Sequence, residues 1–318
     1  MTALALITDT FAKLRQALNQ TIVGQEMVID QLLIALLADG HVLLEGVPGT
    51  AKTMLVKTLS NLINAPFGRI QLTPDMLPSD ILGTSIYDLN SKNFHLKKGP
   101  IFTSLLLADE INRTPPKTQS ALLEAMEERQ ITLDGNTEAL SPLFMVVATQ
   151  NPLEFEGTYP LPEAQLDRFL LKIVVDYPQG DAEKLVLRNW LNGLYARGGQ
   201  EQNFAVTTSQ EIIACRQALA SIRVEESLLT YIIDLTKRSR SLADLQLGAS
   251  PRAALAWLAA ARAQAALCGR DFVTPDDVKV VALPVLRHRL IIGPEAELDG
   301  VKPEHVLNSI MTQVAVPR

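Results

Sequence analysis

His41-Val-Leu-Leu-Glu45 followed by Gly46-Val-Pro-Gly-Thr-Ala-Lys52-Thr53 is the stretch on which the fold turns. It reads as a short apolar strand and a Gly/Pro loop. The segment Thr53 to Ile63 then places Leu55, Leu59 and Leu62 at helical spacing. In a strand–loop–helix of this kind, backbone N–H groups curl round phosphate oxygens and the helix N-terminus faces the negative charge. Lys52 then reaches the β- and γ-phosphates, and the Thr53 hydroxyl ligates Mg²⁺. The general pattern GxxxxGK[ST] has Gly where this chain has Ala51. Alanine is accommodated there if its φ is negative, as at an ordinary helix start.

Working outward, Arg69–Leu72, Ser104–Ala108, Leu143–Ala148 and Leu170–Val175 are further strand candidates, and Thr118–Arg129 is a helix. Apolar strands alternating with helices predict an α/β fold, a parallel sheet with helices on both sides. Two hairpins interrupt it. Ser85–Leu89 and Asn93–Lys97 alternate around Asn90-Ser-Lys92, and Gln130–Leu133 and Thr137–Leu140 flank Asp134-Gly135-Asn136. After Tyr177-Pro-Gln-Gly180 almost only helical periodicity is read, over Glu183–Leu194, Gln210–Ser221, Glu226–Arg240, Pro251–Leu267 and Pro275–Arg289. Ser250 before Pro251 and Thr274 before Pro275 are helix caps. The predicted domains are 1–178, α/β and nucleotide-binding, and 179–318, a smaller all-α unit.

The 318 residues are 47% hydrophobic and 20% charged, a globular balance long enough for two domains. A formal charge of −6 speaks against a non-specific nucleic-acid binder, which needs a basic face. Cys215 and Cys268 are too few for a disulfide framework or metal cage and read as buried small hydrophobes. The N-terminal region meets Lys13 and Arg15 only after an apolar stretch broken by Asp9, the wrong order for a signal peptide. No window approaches the ~18 uninterrupted apolar residues of a membrane span. A soluble cytoplasmic protein is expected.

Asp109-Glu110 closes the strand ending at Ala108. Ligands of open α/β sheets gather at strand C-termini. One carboxylate there can hold Mg²⁺, and the other can orient and deprotonate a water. Asn151 closes Val146-Val-Ala-Thr-Gln150, where a neutral amide can bond both phosphate and water. These three elements in this order resemble the AAA+ ATPases. Gly46-Val-Pro-Gly-Thr-Ala-Lys-Thr53, Leu72-Thr-Pro-Asp-Met-Leu-Pro-Ser-Asp80, Ala108-Asp-Glu-Ile-Asn-Arg113, Thr149-Gln-Asn-Pro152 and Leu161-Pro-Glu-Ala-Gln-Leu-Asp-Arg-Phe169 resemble the MoxR family in particular. Over nearly the whole chain, the resemblance implies a phosphate loop that commonly carries Ala at position 51. It also implies a helix-two insert and a pre-sensor hairpin for the two hairpins, and a lid for the helical part.

The resemblance further implies ATP and Mg²⁺ bound between subunits of a homo-oligomeric ring, usually a hexamer. Nucleotide contacts would run through Gly46, Val47, Pro48, Gly49, Thr50, Ala51, Lys52, Thr53 and Met54, with Ile22 and Val23 packing on adenine. Thr53 and Asp109 would serve the metal, and Glu110 and Asn151 the hydrolysis. Arg168 resembles the arginine finger given in trans, or else pairs with Asp167 or Glu163. Arg252 resembles the lid's second sensor, contacting γ-phosphate when the lid closes, or else is an exposed first-turn arginine. Arg113 falls near the subunit interface. The function implied is remodelling or maturation of a protein client, such as metal-cofactor insertion, with a partner carrying a von Willebrand factor A-like domain. A nucleic-acid motor is the alternative on the same engine, disfavoured by the absence of Lys and Arg in the second hairpin; Lys92, His95, Lys97 and Lys98 of the first read as a solvated turn or else as a pore-facing cluster. A non-hydrolysing scaffold is disfavoured by intact Lys52, Thr53, Asp109 and Glu110.

Overall fold

The computed structural model describes residues 2–88, 92–152, 157–192 and 205–317. Helices α1 (Ala3–Thr21) and α2 (Glu26–Leu37) precede strand β1 (Val42–Glu45). Helix α3 (Lys52–Leu62), strand β2 (Phe67–Gln71) and the short α4 (Pro78–Leu82) follow, then a hairpin of β3 (Gly83–Asp88) and β4 (Asn93–Lys98). Strand β5 (Leu105–Asp109) and helix α5 (Pro116–Glu128) lead to a second hairpin, β6 (Gln130–Leu133) and β7 (Asn136–Ala139). Strand β8 (Met145–Gln150), helix α6 (Glu163–Leu166) and strand β9 (Leu171–Val174) complete the first part. Beyond them lie α7 (Asp181–Leu191), α8 (Ser209–Ala218), α9 (Glu226–Arg240), β10 (Leu245–Leu247), α10 (Pro251–Leu267), α11 (Pro275–Leu286), β11 (Ile291–Ile292), α12 (Pro294–Leu298) and α13 (Pro303–Gln313).

The five-stranded sheet runs β2-β5-β8-β1-β9 with every pairing parallel. Successive side chains of a strand point to opposite faces, and both faces here are apolar. Leu44, Leu107, Val147 and Ile173 join α1, α2, α3 and the lid helices in one core, while Leu43, Leu106, Ala108 and Val146 join α5 in another. Parallel pairing puts all five strand C-termini at one end, where the phosphate loop begins. It leaves the strand N-termini at the other.

Several expectations need correction. The N-terminal segment, for which the sequence expectations include no element, forms helix α1 with Ile7, Phe11, Leu14 and Leu18 as its buried stripe. That stripe packs α1 on α8, α10, α2 and α3, so the core on this face is continuous from the sheet into the helical part. The helical part also contains an antiparallel strand pair, β10 with β11; at three and two residues these strands are too short for an alternation to register. The helix read as Pro275–Arg289 ends at Leu286. Cys215 is buried, but Cys268, at the end of α10, is exposed. The first hairpin's basic cluster is not wholly solvated, because Lys98 Nζ pairs with Glu138 Oε2 of the second hairpin at 3.1 Å and lies 4.7 Å from the Phe102 ring centre. Leu89, Asn90 and Ser91 of the first predicted hairpin, and Gly193 and Leu194 of the helix read to Leu194, lie outside the described residues.

Candidate functional site

The phosphate loop spans the C-terminal end of β1 and the start of α3. Gly46 is fixed by packing: its N–H donates to Gln150 O at 3.2 Å, and a Cβ there would run into the Val175 carbonyl. Gly49 takes a left-handed φ of +85° with open space where a Cβ would stand. Ala51 differs from expectation. Its φ is +60° and ψ +20°, a left-handed conformation for a residue with a Cβ, so the loop keeps a glycine-type backbone without the glycine. Thr50 Oγ1 donates to Val47 O at 3.0 Å. Lys52 Nζ donates to Gly46 O, and to Val47 O at 3.0 Å, holding its ammonium against the loop. Burial pushes the Lys52 ammonium below the usual lysine value, and the Asp109 and Glu110 carboxylates pull it back up.

Those carboxylates stand at the end of β5, with β8 between them and the loop strand. The Thr149 hydroxyl donates to Asp109 Oδ1 at 3.2 Å and accepts from the Glu110 N–H at 2.9 Å. Strand β2 supplies two partners two residues apart and therefore on one face. Arg69 Nε donates to Asp109 Oδ2 at 2.8 Å, and Gln71 Nε2 donates to Glu110 Oε2 at 2.8 Å. Arg113 Nε lies 3.3 Å from the same Glu110 oxygen. Glu110 itself is left-handed, with φ +59° and ψ +53°. Asn151 directly follows Gln150, the residue whose carbonyl holds Gly46, and is buried. Loop, acidic pair and Asn151 thus meet at one end of the sheet. Ile22 is buried and Val23 half-buried, beside Gly24, whose φ is +73°.

Arg168 and Arg252 lie at the other end. Arg168 Nη1 donates to Leu123 O at 2.7 Å and pairs with Glu127 Oε2 at 2.9 Å, while Arg252 Nη1 pairs with Glu127 Oε1 at 3.0 Å. Neither Asp167 nor Glu163 is the partner of Arg168; Asp167 is taken by Arg289 Nε at 2.5 Å and by Ser250 Oγ at 3.2 Å. Glu127, Asp167, Arg168, Arg252 and Arg289 border a cavity of about 310 Å³ that also reaches Gly40, His41 and Leu170. The Leu170 N–H donates to His41 O at 2.8 Å, which fixes this place at the N-terminal ends of β1 and β9. From His41 to Gly46 the strand advances roughly 16 Å, at about 3.3 Å per residue. Arg252, paired with Glu127, therefore stands at the far end of the sheet from the phosphate loop of its own chain. The lid is tied to the far end of the sheet, where His288 Nε2 donates to Phe169 O at 3.0 Å and Arg289 Nη1 to Leu170 O at 3.0 Å.

The arrangement fits a nucleoside triphosphate with a divalent cation. The loop takes left-handed backbone at Gly49 and Ala51, leaves no room for a side chain at Gly46, and holds an ammonium against itself. Two carboxylates stand within its electrostatic reach. Among the described residues no group of three or more His, Cys, Asp or Glu could hold a metal. A cation at this site would draw ligands from Thr53, Asp109 and the phosphates themselves. Arg69, Gln71, Arg113, Thr149 and Glu127 escaped the sequence reading as site residues. Arg69 and Gln71 left one signal, the polar alternation on a strand next in order to the loop.

A parallel sheet with a phosphate loop after β1, an acidic pair at the end of β5 two places away in the sheet, and a helical lid defines a P-loop ATPase domain of the AAA+ type. The sequence profile described as "ATPase family associated with various cellular activities (AAA)" matches residues 41–171, and the "AAA lid domain" profile matches 237–310. Chaperone MoxR1 of Mycobacterium tuberculosis is 42% identical over 310 residues, covering 94% of this chain and 80% of its own. Protein MoxR of Paracoccus denitrificans is 32% identical, with 92% of each chain covered. The uncharacterized protein YeaC of Bacillus subtilis is 46% identical over 94% of this chain and 92% of its own. A crystal structure from Cytophaga hutchinsonii, described as a candidate ATPase, superposes with a TM-score of 0.91 at 40% identity, covering 99% of this chain and 97% of that one. This chain belongs to the MoxR family of AAA+ ATPases. Nucleotide binding and ATPase activity in general follow from that membership.

Proposed function

We propose that this chain hydrolyses Mg-ATP within a homo-oligomeric ring, a hexamer, and delivers the resulting conformational work to a protein client as a chaperone-like maturation factor. The observation that carries this reading is the division of the site. Lys52, Asp109 and Glu110 sit at one end of the sheet and the Arg168–Arg252 pair at the other, so a complete site needs two copies in head-to-tail contact. The chaperone name of a relative at 42% identity supports the remodelling role.

In this reading the loop from Gly46 to Met54 cradles the phosphates and Lys52 neutralises them. Ile22 and Val23 flank the base. Thr53 and Asp109 hold the cation, which when bound supplies charge neutralisation at the phosphate oxygens. Glu110 takes the proton of the attacking water, and Asn151 orients that water by hydrogen bonding. Arg168 of one subunit neutralises charge on the nucleotide of the next, and Arg252 joins it there instead of acting within its own subunit. A boundary near 178/179 separates the nucleotide-binding domain from the lid. On this proposal the protein acts in the cytoplasm, on a client protein and with a partner carrying a von Willebrand factor A-like domain. Among the described residues no helix is long and apolar enough to cross a membrane.

The test is single-turnover hydrolysis with nucleotide binding measured on the same samples. Glu110→Gln binds ATP but loses about 10²–10⁴-fold in turnover, and Lys52→Ala loses binding itself. A Glu110→Gln protein that turns over at the wild-type rate sinks the mechanism.

A further inference from the structure

The cation that faces Asp109 in this structure belongs to the protein. Strand β2 is the edge of the sheet and pairs with β5 so that Arg69 lies opposite Leu107 and Gln71 opposite Asp109. From there Arg69 Nε takes Asp109 Oδ2 at 2.8 Å, while Thr149 takes Oδ1 at 3.2 Å, so both oxygens of the carboxylate are engaged. The pair is lopsided: the Asp109 side chain is 10% exposed and that of Arg69 50%. The carboxylate is locked, and the guanidinium stands on an open edge with room to swing away. Arg69 Nη2 also donates to Gln71 Oε1 at 3.3 Å, which links this contact to the Gln71–Glu110 hydrogen bond. Asp109 is freed when the Arg69 side chain moves off its carboxylate.

We propose that Arg69 is a positioning residue that stands in for the divalent cation at Asp109 and competes with it, leaving the carboxylate when metal and nucleotide enter together. The inference rests on the nucleotide reading above. It adds that nucleotide occupancy is signalled to the edge strand β2, and through Gln71 to Glu110. Because linkage is reciprocal, a group that competes with the metal for Asp109 weakens the metal's contribution to nucleotide binding, and removing that group strengthens it.

The experiment measures the dissociation constant of a fluorescent methylanthraniloyl-ADP with excess Mg²⁺ and again with EDTA, on the full chain. The readout is the constant in EDTA divided by the constant in Mg²⁺. Arg69→Gln raises the ratio by about threefold to tenfold. Arg69→Lys, which keeps the charge, stays close to wild type. On an Asp109→Asn background Arg69→Gln leaves the ratio where Asp109→Asn alone sets it. Equal weakening with and without Mg²⁺ puts Arg69 on the phosphates and overturns the proposal. So does an unchanged ratio, or an Arg69→Lys protein that behaves like Arg69→Gln. An Arg69→Gln protein whose circular dichroism shows it unfolded makes Arg69 a structural strut and overturns it as well. A wild-type chain that binds no nucleotide under either condition fails the function proposal instead, which keeps the two failures apart.

Discussion

Ala51 and Glu110 hold left-handed backbone on either side of the site, at φ +60° and +59°, although each carries a Cβ. Such a conformation costs an L-residue roughly 1–2 kcal/mol, and strain of this kind persists only where the surroundings over-determine it. At Glu110 the surroundings are the Thr149 hydroxyl on the N–H and Gln71 and Arg113 on the carboxylate. At Ala51 the helix start and the Lys52 contacts play that part. The side chain of Ala51 makes no hydrogen bond, so the strain there can be removed without touching the chemistry. Ala51→Gly is expected to stabilise the protein by about 0.5–1 kcal/mol in urea titration, after the entropic cost of glycine is subtracted, and to leave nucleotide affinity intact. A destabilised Ala51→Gly protein would mean that the methyl group contributes packing worth more than the strain.

The elements are joined at the strand N-termini by two buried imidazoles. His41, just before β1, accepts the Val146 N–H of β8 on Nδ1 at 2.9 Å and donates from Nε2 to Met126 O of α5 at 3.1 Å. His288, just after α11, donates to Phe169 O beside β9, and its Nδ1 is buried with no hydrogen-bond partner among the described residues. Burial, with Arg129 and Arg216 nearby, pushes His41 down to about 3; burial and then Arg289 push His288 well below the ordinary value of 6.5. Both groups are neutral when folded and take up protons on unfolding below about pH 6.5, so the unfolded state binds more protons and acid destabilises the fold. Their contribution is complete above pH 6.5 and is lost as pH falls towards their folded values. Each adds a slope of up to about 1.4 kcal/mol per pH unit. Denaturant titrations between pH 7 and 5 should show stability falling with acid, and His41→Gln should remove about half of that slope. A slope unchanged by the substitution would place the titration elsewhere.

For the whole molecule, the two ends of the sheet define how copies must meet. A contact that joins the loop end of one copy to the arginine end of the next is heterologous, and it closes into a ring if the rotation allows. Arg168→Ala and Glu110→Gln are each expected to be inactive alone. A 1:1 mixture should recover about a quarter of wild-type activity, since that fraction of randomly formed interfaces pairs an intact Glu110 with an intact Arg168. Arg252→Ala mixed with Glu110→Gln separates the two placements of the lid arginine. Recovery is expected if Arg252 acts on the neighbour. No recovery would return it to its own subunit, against the Glu127 geometry.

The phosphate loop, the acidic pair at Asp109-Glu110, the four other strands and most of the lid helices were legible in the sequence, because each is a local pattern: an apolar run, a spacing of three and four, a cap before a proline. The buried stripe Ile7, Phe11, Leu14, Leu18 carried the same kind of signal and was open to the same reading. What the chain order did not contain is who faces whom across the sheet. Arg69 meets Asp109, forty residues on, only because β2 and β5 pair in a particular register. Glu127 gathers Arg168 and Arg252 only because the lid docks at the strand N-termini. The sign of φ at Ala51 is likewise set by how the loop closes onto α3, not by the residue. Local sequence determined the strands, helices and chemical groups of this protein. Tertiary packing decided the partners of those groups and the end of the sheet at which each stands, since contacts between distant residues are fixed by burial and pairing geometry that no single segment encodes.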